Sequence, residues 1–464
     1  MKTKLVGCCL LGLALILTLS ISARPDRDDR RPGAEKDCVD STHHEQNLTT
    51  GVAPVGVILV PGLPITSADI EWDDAVTERH YLADRSNSGV DIIDAENDVF
   101  AGRVTGMAGP NPSGGGTTTT NGPGPNGVVV TPNERLWAGD GNSLAQVADV
   151  NPNSPTYLQL LVPGGISTAW NNPLIPADTC DGGTLTTHYC GRADELAYDP
   201  KDHVIMIANN APLSVTQLCP TVPIATTPVP HCPIDPYATF INADPPFNVL
   251  SHHSFVGAGG LEQPLWDAEL GRFLVTVPGT LGVTPATIQV FNPTTFVSEK
   301  TFALDCQNLA HVASASVTGI ALAPFQHILV SACGFPIILT LDFKTGTIHP
   351  LNVITQVGGG DEVWYNPGDG RFYVTGAAGA VSGAQQQLGV IDAETSTWLQ
   401  NTPDVRGKNP AAFPENNHIF TVAQITAAIV AGATDDSICM TQFGVKGMGC
   451  IVVFTHAENE LSEK

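Results

Sequence analysis

The chain has 464 residues, 46 of them acidic against 21 basic, for a net charge of −25. So acidic a protein excludes nucleic acid and anionic lipid as natural partners and leaves cations and basic partners open. Charged residues make up only 14% of the chain while glycine and proline number 46 and 36, a balance that suits many short strands joined by turns and argues against helices.

Lys2 and Lys4 precede an apolar run from Leu5 to Ile21, and Ser20, Ser22 and Ala23 supply small residues for cleavage, so residues 1–23 read as an export signal. Its removal leaves 46 acidic against 19 basic residues, or −27. No later run is long and apolar enough to cross a bilayer, and no membrane anchor is expected. Residues 24–50 read as a flexible arm that carries Cys38 and the sequon Asn47-Leu48-Thr49. The apolar run GVAPVGVILVPGLPI (51–65) is expected to be a strand that enters the fold or completes its last unit, paired with the terminal strand 449–455, because joining the chain ends removes an exposed sheet edge.

From residue 67 to 94 the sequence SADIEWDDAVTERHYLADRSNSGVDIID sets three short apolar runs between clusters of Asp, Asn, Ser and Gly, the pattern of an antiparallel meander. The same pattern returns from residues 126, 194, 262, 318, 361 and 409, which makes seven copies. Aligned on the bulky residue that closes the first strand (Trp72, Val130, Tyr198, Trp266, Leu322, Tyr365, Phe413), they lie 43 to 68 residues apart. An all-β unit repeated at this period predicts an all-β fold: a single-domain, seven-bladed β-propeller of four-stranded antiparallel blades over residues 51–456, followed by an acidic tail at 457–464.

Between the repeats, 108–127 reads as a loop, and 163–192 and 211–260 read as insertions, the second a candidate lid. Nine cysteines lie beyond the signal. Eight fall into sequence-local pairs, Cys180 with Cys190, Cys219 with Cys232, Cys306 with Cys333 and Cys439 with Cys450, a disulfide framework that agrees with export. Gly122, Gly124 and Gly127 satisfy GxGxxG, but the interleaved prolines and the strand that follows contradict a dinucleotide site. No GxSxG, HExxH or Walker A phrase occurs.

GVDIIDAEN (89–97), YLADRSN before it, FYVTG (372–376) and LGVIDAETS (388–396) resemble the YVTN type of propeller repeat. PNGVVVTPNERLWAGD and LEQPLWDAELGRFLVTV resemble first-strand phrases of the senescence-marker-protein/gluconolactonase propellers. The resemblance covers most of residues 66–455 and speaks to architecture far more than to activity.

Four residues before each anchor stand Ala68 (with Asp69 beside it), Asn126, Asp194, Glu262, Thr318, Asp361 and Asn409. In a propeller these positions converge on the mouth of the central channel, and a ring of such oxygens suits a hard cation. The gluconolactonase-like resemblance implies a calcium ion held by Asn126, Asp194, Glu262, Asp361 and Asn409. Those families usually have six blades, and a seventh widens the channel and draws the oxygens apart. The alternative, polar residues that hydrogen-bond channel water and the first backbone groups of the strand, stays open. With no Lys or Arg beside them in the motif, the clustered carboxylates are expected to need a cation or protons.

The loops after the second strands supply Asp84 and Asn87, Asp140 and Asn142, and Asn209 and Asn210 as a rim. His80, His203, His327 and His418 read as one repeat position on the far face, where they are expected to be solvating; His252, His253 and His311 fall in connections expected to cross the mouth. His253, His311 and Asp84 are therefore the candidate bases. Trp72, Trp266 and Trp364 read as spacers between blades. Two functions follow: a binding module that takes a small molecule or protein at the channel mouth, or a calcium-dependent lactonase or esterase in which the ion polarises a carbonyl.

Overall fold

A computed structural model describes residues 51–110, 124–141, 143–170, 192–210, 235–280, 284–312, 315–377, 386–402, 407 and 409–456. The signal, the arm with Cys38, the acidic tail and the pairs Cys180/Cys190 and Cys219/Cys232 lie outside them.

The described chain forms a seven-bladed β-propeller, seven four-stranded antiparallel sheets. Strand β1 (Val52–Ile58) comes first but belongs to the last blade. Blade one is β2 (Glu71–Asp74), β3 (Arg79–Asp84), β4 (Gly89–Asp94) and β5 (Val99–Thr105). Blade two is β6 (Val128–Thr131), β7 (Arg135–Asp140), β8 (Leu144–Asp149) and the two-residue β9 (Ile166–Ser167). Blade three is β10 (Arg192–Asp199), β11 (Val204–Asn210), β12 (Tyr237–Asn242) and β13 (Val249–Ser254). Blade four is β14 (Pro264–Asp267), β15 (Arg272–Val277), β16 (Ala286–Phe291) and β17 (Ser298–Leu304). Blade five is β18 (Ile320–Ala323), β19 (Ile328–Ala332), β20 (Pro336–Asp342) and β21 (Thr347–Val353). Blade six is β22 (Val363–Asn366), β23 (Arg371–Ala377), β24 (Gln386–Asp392) and β25 (Thr397–Thr402). Blade seven is β26 (Pro410–Phe413), β27 (His418–Ala423) and β28 (Cys450–His456), with β1 antiparallel to β28 as its outermost strand. The chain ends thus close the ring as the sequence predicts. All seven anchor residues lie in innermost strands.

One local device repeats in every blade. The residue just before the second strand is left-handed: Glu78, Glu134, His203, Gly271, His327, Gly370 and Asn417 all have φ between 53° and 68°. A left-handed residue turns the chain sharply enough to pair the first two strands directly. This corrects the histidine alignment. His203 and His327 occupy the turn, His418 opens β27, and His80 is the second residue of β3. His80 is also not a solvating residue: it is fully buried, 3.4 Å from both Glu71 and Asp73, and stacks on Phe420 of blade seven. Glu71 accepts the Val422 N–H at 2.6 Å, so this buried group ties the first blade to the last.

The core is divided among seven apolar clusters, one at each interface between successive blades. Every sheet is covered on both faces, which explains strands as uniformly apolar as Ile451–Phe454. Trp72 of blade one packs on the clusters between blades one and two and between blades two and three, and Trp364 of blade six on that between blades six and seven, as spacers do. Their rings meet edge to face with centroids 5.2 Å apart, past the small residues of β26 that intervene between the two blades. Trp266 packs on the cluster between blades three and four and meets Phe273 of its own blade.

Cys306 pairs with Cys333 and Cys439 with Cys450, as their spacing suggests. The reading of 211–260 as an insertion or lid is corrected: residues 237–254 are two strands of blade three.

Candidate functional site

The innermost strands β2, β6, β10, β14, β18, β22 and β26 neighbour one another in a closed ring. The residues that lead into them define the channel mouth. Each blade contributes a pair there, and the second member matters as much as the first: Asp69, Gly127, Glu195, Gln263, Gly319, Glu362 and Pro410.

Blades three and six carry an Asp-Glu doublet, Asp194-Glu195 and Asp361-Glu362. Register shifts in blade three between Ala193, opposite Asn209, and Leu196, opposite Ile207, so two residues of β10 face one of β11. Such a bulge re-aims side chains that simple alternation would send to opposite faces, and both carboxylates turn into the same cluster. The preceding blades make room with glycine. A Cβ on Gly127 would stand 2.5 Å from the Glu195 Cα, and one on Gly319 would stand 2.6 Å from the Glu362 Cα. In blade six the Glu362 N–H donates to Asn409 Oδ1 at 3.1 Å, which fixes the doublet against blade seven.

Two guanidiniums enter the ring, contrary to the expectation of clustered acids without a basic neighbour. Arg85, in the short turn Arg85–Asn87, donates to Asp69 and to Asn126 Oδ1, the latter from Nε at 3.1 Å and from Nη2 at 2.5 Å. Arg192 donates to Asp194 from two residues upstream. Burial opposes the charge of Arg192, but Asp194, Asp69 and Glu262 more than offset it and raise its pKa.

Six carboxylates, Asp69, Asp194, Glu195, Glu262, Asp361 and Glu362, therefore gather at the mouth beside the guanidiniums of Arg85 and Arg192. The glutamate pKa values rise through burial together with this crowding. Burial, then Glu362, Glu262, Asp194 and Asp361, push Glu195 well above the carboxylate range. Its Oε2 has no hydrogen-bond partner among the described residues. Burial, with Asp194 and Asp361, likewise pushes Glu262 up to about 8, against the opposing pull of Arg192 and Asn210.

Of the five residues expected to share a calcium ion, four have oxygens that already accept hydrogen bonds from the protein. Asn126 accepts from Arg85 and Asp194 from Arg192; Glu262 Oε1 accepts from Asn210 Nδ2 at 3.2 Å, and Asn409 Oδ1 holds the Glu362 N–H. Among the described residues no three His, Cys, Asp or Glu side chains are placed to hold one metal ion. With a guanidinium standing among them, this donor set does not fit a shared calcium.

The candidate bases are dispersed. His253 lies on β13, the outermost strand of its blade, edge-on to Phe255 and Phe291, and burial lowers its pKa. His252, on the same strand as His253, is stacked on Trp170, and burial lowers its pKa to about 4. Their expected place in a connection across the mouth is thus corrected. His311 ends the short helix Cys306–Ala310 in a left-handed conformation and is exposed. Asp84 is fully buried, caps the Arg85–Asn87 turn through the Asn87 N–H at 3.1 Å and lies 3.5 Å from Arg103. It holds a turn and has no open path to water.

Of the rim, Asn210 reaches the acidic cluster through Glu262, whereas Asn209 is spent on Thr168 and Thr239 and Asp140 on the Ala108 N–H and Gln146. Asn142 lies outside the described residues. Residues missed from the sequence are Glu195, Glu362, Arg85 and Arg192. A signal for the first two was present: ADELAYD and GDEVWYN place the same doublet at the same distance from Tyr198 and Tyr365.

No protein-family profile matches the chain, and no curated protein matches its sequence. Among solved structures it aligns with a chain from one titled "Crystal Structure of Mitotic Checkpoint Complex", at 12% identity and a TM-score of 0.49, over 88% of this chain and 96% of that one.

Proposed function

We propose that this propeller is an exported binding module that receives a small molecule or a segment of a protein partner at the mouth of its channel. The observation that carries this reading is the concentration of ionisable groups there: six carboxylates from blades one, three, four and six converge beside Arg85 and Arg192, and burial with Asp194 and Asp361 pushes Glu262 at the mouth up to about 8. Groups so perturbed in a concave site mark places where a protein trades stability for a task. The two disulfides found among the described residues support an oxidising compartment. Among the described residues no helix is long and apolar enough to cross a membrane.

The test is a binding screen of the purified mature protein, with Glu262→Gln as the site control. A ligand whose affinity falls at least about tenfold in a folded Glu262→Gln variant supports the reading. Ligands that bind wild type and variant alike would move the binding surface off the channel. The hydrolase alternative is checked in the same preparation: calcium-dependent turnover of lactones or aryl esters, abolished by Glu262→Gln, would replace the binding module with an enzyme.

A further inference from the structure

We infer that a cleft between blades two and three, on the face opposite the channel mouth, is a binding site for a neutral saccharide. It is separate from the channel mouth and independent of what binds there.

The innermost strands start at the mouth, so the turns that join first to second strands and third to fourth strands lie on the opposite face. Between two such turns and the loop that follows β8 the protein has a cavity of 470 Å³. That volume falls in the range of about 300–1,000 Å³ usual for small-molecule sites. Its polar lining is Asn133, Arg135, Asp149, Asn151 and Ser154.

The cavity exists because blade two departs from the repeat. Its fourth strand, β9, has two residues, whereas the outermost strands of the other six blades have six or seven. Instead of a regular strand the chain makes a loop after Asp149, and that loop is held on both flanks. Asp149 accepts from the Asn151 N–H at 2.9 Å, from Thr156 Oγ1 at 2.5 Å and from Ser154 Oγ. From blade one, Arg79 donates to Val150 O at 2.7 Å and lies 6.0 Å from the centre of the Tyr157 ring. Across the cleft, Arg135 Nη1 donates to Ala243 O and Asp244 Oδ1, both at 3.2 Å, and its guanidinium lies 5.4 Å over the Phe247 ring. Walls fixed in advance spare a ligand the cost of ordering them.

The hydrogen-bonding groups left over are mostly donors. Asn133 Oδ1 accepts from Thr131 Oγ1 at 2.5 Å, and Asn151 Oδ1 accepts from the Asn153 N–H at 2.8 Å. Each carboxamide therefore keeps its Nδ2 group, which donates to no described residue. Arg135 bonds through Nη1 alone, which leaves Nε and Nη2 on a side chain that is 23% exposed. Asp149 already accepts three bonds on about four lone-pair sites and can take one more.

Charge selects against ions. Asp149 lines the cavity and Asp244 pairs with Arg135, in a chain of net charge −25, so an anion gains little there. A cation would meet the guanidinium and a surplus of N–H groups. What fits is a neutral molecule rich in oxygen acceptors, with a hydroxyl to donate to Asp149. Leu161, Pro245 and Phe247 complete the lining with apolar surface. Oxygen acceptors, hydroxyls and a C–H face on one small rigid ring describe a pyranose.

The test is calorimetric titration of the mature protein with the methyl glycosides of glucose, galactose, mannose and N-acetylglucosamine. Glucuronate, glucosamine and N-methylacetamide serve as the anionic, cationic and hydroxyl-free comparisons. At least one glycoside should bind, more tightly than any of the three comparisons, and be weakened at least about tenfold in Asn133→Asp and in Asn151→Asp. Both variants keep the oxygen that Thr131 or Asn153 bonds and lose only the Nδ2 donor, and melting curves report that they fold. Glucuronate or glucosamine bound as tightly as the best glycoside overturns the assignment to a neutral ligand. N-methylacetamide bound as tightly overturns the assignment to a saccharide. Glycoside binding unchanged in both variants, or no binding of any glycoside up to about 50 mM, overturns the site itself.

Discussion

Replacing Glu262 by glutamine should make the protein more resistant to alkaline pH, the reverse of what the loss of a surface charge would do. Burial and the carboxylates of Asp194 and Asp361 raise this carboxyl from 4.5 to about 8 in the folded chain. Folded protein therefore keeps a proton that the unfolded chain releases near 4.5. The stability tied to that proton is fully present below pH 4.5 and is lost as pH climbs through about 8. A shift of this size corresponds to an upper bound of about 5 kcal/mol at 1.36 kcal/mol per pH unit. Glu262 is part-exposed at the mouth, and solvent screening reduces the expected value to roughly 2–3 kcal/mol. For about 400 folded residues at ~2.1 cal/mol/K each, the unfolding entropy is ~0.8 kcal/mol/K, so the change in Tm is about 3 °C. Glutamine mimics the protonated acid and has nothing to titrate. Melting temperatures from pH 6 to pH 9 should fall more steeply in wild type than in Glu262→Gln, with the variant about 3 °C higher at pH 9. The difference between the two proteins removes the general effect of a strongly acidic chain. Parallel slopes, or a variant less stable at pH 9, would refute the reasoning.

Arg192→Gln should destabilise the protein by roughly 3–5 kcal/mol in urea unfolding at pH 7, because Asp194 is 1% exposed and loses the guanidinium that neutralises it. A change below about 1 kcal/mol would mean that the pair adds nothing beyond an exposed ion pair. Gly319→Ala should cost about 1–3 kcal/mol, since the added methyl would stand 2.6 Å from the Glu362 Cα and force blades five and six apart. Gly56→Ala, where a Cβ meets nothing within 4 Å, is the control, and equal effects at the two sites would contradict the close approach of the doublet.

The architecture was legible because a propeller writes its period into the sequence. The anchors Trp72 to Phe413 mark the inner strands, and the apolar runs at the two ends announce the closure of β1 on β28. Disulfides between cysteines 11 and 27 residues apart were readable for the same reason, local spacing. The site was legible only in its first layer. Asn126, Asp194, Glu262, Asp361 and Asn409 follow from the repeat, but Glu195 reaches the channel through a bulge, and period-two reasoning assigns it to the other face. Arg85 and Arg192 were invisible to the alignment because one comes from a turn and the other precedes the motif. His80 shows the converse failure. Next to a turn in sequence, it is buried because the neighbouring blade packs over it with Phe420. Contacts between blades are long-range, and a repeat describes each blade by itself.

Burial and neighbouring carboxylates raise the pKa values of Glu195 and Glu262 in the channel above the ordinary glutamate range. Carbon-13 NMR of protein labelled at the glutamate side-chain carboxyls measures this directly. The signal lost in Glu195→Gln and the signal lost in Glu262→Gln should both titrate above the ordinary glutamate range, that of Glu262 near 8. Complete ionisation of both by about pH 6 would contradict the account, because burial beside Asp194 and Asp361 would then not raise these carboxyls.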